Sequence, residues 1–69
     1  MTHDKLWRSV YNELAETLPA HAISTWFEPI SPIALSEKEL VLEVPNQFFY
    51  EWIESHYKQN LIRALSKLS

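Results

Sequence analysis

Sixty-nine residues with nine aromatics, no cysteine and no glycine make one small domain whose core must be filled by rings and aliphatic side chains, because disulfides and thiolate metal sites are excluded. The missing glycine also excludes phosphate-cradling loops of the Walker and dinucleotide-binding types, so nucleotide hydrolysis is not expected within these residues. Nine acidic and six basic residues give a net charge of −3, a poor footprint for a duplex-binding face; without a long apolar run or a signal-type segment, a cytoplasmic location is expected.

Pro19, Pro29, Pro32 and Pro45 divide the chain. From about Asp4 to Leu18, Trp7, Val10, Tyr11, Leu14 and Leu18 recur at helical spacing on one stripe. Asp4 or Thr2 can cap that helix, and Pro19 stops it by pushing the preceding residue out of the α region. A shorter helix begins at Pro19 or Ala20, with Ile23, Trp26 and Phe27 lining one face, and ends at Pro29. With almost no linker, the two helices form an αα-hairpin or corner. Ile30 to Leu35 is extended, Ser36 to Glu39 is polar and turn-like, and Leu40 to Val44 alternates with Leu40, Leu42 and Val44 on one face. That pattern predicts a β-hairpin with one covered face, closed by a four-residue loop around a type I turn because no glycine is present for a tight primed turn. Asn46, after Pro45, is positioned to cap a last helix from Gln47 to about Lys67. At about 100° per residue, Phe49, Ile53, Tyr57, Asn60, Leu61, Ala64 and Leu68 share one stripe, with Trp52 on its edge and Phe48 well off it. The order is α-α-β-β-α, an α+β domain with helices packed on a small antiparallel sheet. Two strands are marginal alone and need helix cover or a third strand.

The run from Val44 to Trp52 places a strand end, a proline, a cap and four aromatics within nine residues. One helix face is too narrow to bury all four, so at least one ring stands in solvent, and an exposed aromatic beside a polar cap suits protein binding. Phe48 is the first candidate; its competing reading is folding back onto Trp52 or under the hairpin. Asn46 has ordinary work as a cap, and a cap side chain can also meet a partner. Trp7 lies within its stripe and so reads as core, but its place in the first turn lets it reach the surface as an interface residue, where Leu6 could join it. Trp26 and Trp52 read as core. His3, His21 and His56 lack metal-ligand spacing, and the His21 and Ser24 pair has neither a third member nor an oxyanion loop, so neither a metal site nor catalysis is expected. Lys58, Arg63 and Lys67 suit a helix C-terminus and a soluble surface, and Glu37, Glu39 and Glu43 are solvated.

Three pieces taken together carry a family resemblance: Leu6-Trp7 opening the first helix; Leu18-Pro19 followed by Ser24-Thr25-Trp26-Phe27-Glu28-Pro29-Ile30; and Val44-Pro45-Asn46-Gln47-Phe48 with Trp52-Ile53 and Tyr57 downstream. In their order and spacing the chain resembles the N-terminal domain, domain I, of the bacterial chromosomal replication initiator DnaA. The resemblance implies a K-homology-like fold in which a third strand follows the last helix. This chain stops before such a strand, so either a trimmed piece or a variant with a lone hairpin is expected. It also implies that residues 1–69 are a single non-catalytic N-terminal docking module without a cofactor of its own, ATP belonging to an AAA+ domain absent here. The partners it implies are other initiator molecules at the origin, the replicative helicase and regulatory proteins. Trp7 matches a residue implicated in self-association; Asn46 and Phe48 match a pair implicated in helicase and regulator contacts. Some members carry an acidic residue on the second helix that also serves the helicase. Here Ala22, beside His21, stands in its place, so that contact does not carry over. Two other functions compete. One is a single-stranded nucleic-acid module, suited by stacked aromatics but opposed by the acidic balance and the missing GXXG loop, which leaves at most weak contact with single-stranded DNA. The other is a stand-alone adaptor that mimics the initiator domain.

Overall fold

Helix α1 (His3–Thr17) starts where Thr2 turns extended and its hydroxyl accepts the Lys5 N–H at 3.2 Å; it ends at extended Leu18, before Pro19. Trp7, Val10 and Leu14 form its buried stripe in the computed structural model, which describes residues 2–68. Helix α2 (Ala20–Ala22) begins directly after Pro19 and runs into a π-helical segment (Ile23–Phe27), in which the Glu28 N–H donates to the Ile23 carbonyl at 3.0 Å. The five-residue step replaces the plain α-helix expected from spacing.

Strands β1 (Ser31–Leu35) and β2 (Leu40–Glu43) pair antiparallel, with Ser31 opposite Glu43 and Leu35 opposite Leu40. The register slips between Pro32 and Ala34, leaving Ile33 as the extra residue of a bulge beside a proline that has no N–H to offer the ladder. The Ser36–Glu39 loop has the expected four residues: the Ser36 N–H donates to the Glu39 carbonyl at 2.9 Å, while the Ser36 hydroxyl accepts from the Lys38 and Glu39 N–H groups. Leu40, Leu42 and Val44 turn inward onto the core and Val41 turns outward.

The single last helix expected from Gln47 to about Lys67 is corrected to two, α3 (Gln47–His56) and α4 (Lys58–Leu68), broken at Tyr57. The Tyr57 ring packs edge-on against Phe27, centroids 5.3 Å apart, with its backbone at φ −125°. This fixed pivot lets Ile53 of α3 and Ala64 of α4 both reach the core, and α4 lies along α1, where Lys67 pairs with Glu13 at 3.5 Å. The bridge lies at the surface, with Lys67 exposed and Glu13 half-buried, and is worth little by itself. The described helices and hairpin make the α+β arrangement predicted, with a two-stranded sheet.

The core cluster is Trp7, Val10, Leu14, Ile23, Phe27, Ile30, Ile53 and Ala64. Of the two readings of Trp7, core packing holds, and the expectation for Trp52 changes. Trp7 does not reach the surface from the first turn: it is only 8% exposed, because Val10 and Leu14 on the same stripe carry the core to the start of α1. Trp52, expected in the core, is 36% exposed, because Ile53 beside it takes the inward direction. Among the described residues no helix is long and apolar enough to cross a membrane.

The Tyr11 hydroxyl donates to a Glu28 carboxylate oxygen at 2.5 Å, tying α1 to the end of the π-helical segment. That bond, then partial burial, then the carboxylate charge hold the Tyr11 hydroxyl above the usual tyrosine pKa. The folded chain therefore keeps this proton longer than the unfolded one. The associated stability is full below the ordinary value of about 10 and is lost as pH climbs through the raised folded value. Urea denaturation at a series of alkaline pH values is expected to show the parent losing stability faster than Tyr11→Phe; parallel curves would contradict the linkage.

Candidate functional site: an aromatic face on helix α3

The face is built from the start of α3. Asn46 is fully extended, and its Oδ1 accepts the Phe49 N–H at 3.1 Å. The Gln47 side chain donates to Glu51 one turn on, at 3.2 Å. These two contacts fix the first turn and hence the directions in which its aromatics fan out. Phe49 turns towards the protein and is half-buried, whereas Phe48 is 60% exposed and Tyr50 52% exposed. Asn46→Ala is expected to cost about 1 kcal/mol and roughly 4–8 °C in Tm, with lost exchange protection at the Phe49 amide; unchanged protection would count against the cap.

Phe48, Trp52 and His56, each one helical turn apart, form a row. Phe48 and Trp52 have centroids 6.1 Å apart, and the Trp52 and His56 rings lie 4.2 Å apart. Trp26, from the π-helical segment, closes the row from the side. It stacks on Trp52 at 4.9 Å with planes 9° apart, meets Phe49 edge-on at 5.1 Å and lies tilted on Phe48 at 5.8 Å. Phe48 thus does lean towards Trp52, as the competing reading held, yet most of its surface stays open. The exposed groups beside the row include Gln47 and Glu51.

Asn46 and Phe48 therefore come together at one helix start, whereas Trp7 and Leu6 do not join them. Leu6 is half-buried and borders a groove of about 500 Å³ with Leu35, Leu40, Ile62, Leu65 and Leu68. The small open edge of Trp7 borders a different cleft beside Asp4, Arg8, Tyr11 and Glu28. Ala22 is buried, so this position of α2 offers no side chain to a partner. Sequence reasoning missed Trp26 and His56 as parts of the face. His56 was findable, four residues after Trp52; Trp26 was hidden by its helical spacing with Ile23 and Phe27.

Residues 4–67 match the family described as the DnaA N-terminal domain. The chain belongs to this family. It is similar to the chromosomal replication initiator protein DnaA of Chlorobaculum tepidum, at 42% identity over 65 residues, covering 94% of this chain and 13% of that protein. It is also similar to the DnaA of Flavobacterium psychrophilum, at 38% identity over 96% of this chain and 14% of that protein. Against the DnaA of Bacteroides fragilis it is 34% identical over 97% of this chain and 14% of that protein. The chain thus spans about one seventh of the length of these relatives. No solved structure matches it. The DnaA resemblance carried by the three sequence pieces holds over nearly the whole chain.

Proposed function

We propose that this chain is a protein-interaction module of a DNA replication initiator, docking the replicative helicase and regulatory proteins through the aromatic face that begins at Asn46 and Phe48. The carrying observation is the Phe48 ring, 60% exposed on a helix start that its cap holds fixed. A rigid aromatic beside polar groups, on a flat ring surface, has the composition of a binding hot spot. Membership of the DnaA N-terminal domain family supports the same reading.

Self-association belongs to a second surface, on α1, where Leu6 borders the apolar groove and packs against the core cluster that holds Trp7. Keeping the two surfaces apart lets one initiator hold a neighbour and a helicase together. Each contact is small and weak alone. Several initiators gathered at an origin raise the effective concentration, with a gain of roughly 10²–10⁴ over single-site affinity. Immobilised at high density, the chain is expected to retain the replicative helicase of its own organism; a surface that retains none would remove the reading.

A further inference from the structure

We propose that Trp26 is the positioning residue of the docking face, and that the π-helical segment is the device that delivers it there. The inference rests on the docking role assigned to Phe48. Ile23, Trp26 and Phe27 occupy positions that an uninterrupted α-helix would turn to one side, into the core together. Ile23 and Phe27 do enter the core, but Trp26 is only half-buried. The hydrogen bond from the Glu28 N–H back to the Ile23 carbonyl widens the turn by one residue. Each residue of the wider turn advances through a smaller angle, so Trp26 falls short of the Ile23 side and comes round towards α3.

There, among the described residues, it is the one ring in contact with Phe48, Phe49 and Trp52 together. A phenylalanine as open as Phe48 would ordinarily sample several rotamers and lose that freedom on binding. Trp26 on one side and Trp52 along the helix leave it one favoured pose, so the face is preorganised. This is how the π-helical continuation of α2 enters the site in a chain whose Ala22 is buried and uncharged. Trp26 acts through Phe48 and Trp52 and need not touch the partner.

The test combines NMR on the 69-residue chain with its affinity for the replicative helicase of the same organism. In the parent, three-bond couplings are expected to report a single Phe48 χ1 rotamer. Trp26→Leu is expected to average those couplings, move the Phe48 ring-proton shifts towards free-phenylalanine values and weaken helicase binding about tenfold. Trp26→Phe, which keeps a flat ring, is expected to recover most of both. An averaged Phe48 rotamer in the parent overturns the proposal and is readable even if Trp26→Leu does not fold. A folded Trp26→Leu with parental Phe48 shifts also overturns it. Phe48→Ala separates the two claims. If it still binds helicase, the docking reading fails while the rotamer data decide the role of Trp26. If it loses binding but Trp26→Leu, with Phe48 averaged, keeps parental affinity, the positioning role fails and docking stands.

Discussion

Phe48→Ala is expected to fold like the parent and to lose capture of the replicative helicase. The ring is mostly open, so its removal leaves no cavity and forfeits only the tilted contacts with Trp26 and Trp52. Such aromatic pairs are worth about 0.5–1.5 kcal/mol beyond area burial, a modest change in melting temperature. An anchor at the centre of a small interface costs about 2 kcal/mol or more when truncated, roughly thirtyfold at a single site. The loss compounds when several copies act together, so an immobilised array should release the helicase altogether. Circular dichroism melts and co-sedimentation read the two effects separately. A variant with a parental melt and parental helicase capture would end the assignment of this site.

The opposite outcome is expected at Phe27, whose ring is completely buried and carries the Tyr57 pivot between α3 and α4. Phe27→Ala removes a large core side chain at about 3–5 kcal/mol. At about 0.05–0.15 kcal/mol per residue, a domain of this size has roughly 3–10 kcal/mol in all. The variant is therefore expected to melt at least about 12 °C lower or to be unfolded at 37 °C. The break at Tyr57 should loosen with it, showing early amide exchange at the start of α4. A thermal melt lowered by only a few degrees would mean that Phe27 is not the centre of the core.

Element order and most element ends were legible because local chemistry marks them. Thr2, Pro19, Ser36 and Asn46 each close or open an element through a bond or restriction visible in the sequence. The alternation of Leu40, Leu42 and Val44 reported the covered face of the hairpin, and the angular offset of Phe48 reported its exposure. What stayed hidden depends on partners distant in sequence. Tyr57 continues the apolar stripe of α3 on a helical wheel, and its contact with Phe27 at the break joins residues thirty apart in the chain. Trp26 fits an α-helical face, and only the wider hydrogen-bonding step turns it towards α3. Of the two readings open for Trp7, core packing holds, while Trp52 lacks the burial expected of it, for related reasons. The core extends to the first turn of α1, while Ile53 occupies the inward direction that Trp52 would have needed. Of the site, Asn46 and Phe48 could thus be named from spacing; the Trp26 wall and the His56 end of the row required the fold.

The most direct test is a titration of the isotope-labelled chain with the replicative helicase of its organism, followed by NMR. Shift and intensity changes are expected along residues 46–56 and at the Trp26 indole, with α1, the hairpin and α4 quiet. Changes centred on the Leu6 groove or the hairpin, with Phe48 and Trp52 undisturbed at saturating helicase, would contradict the proposed site.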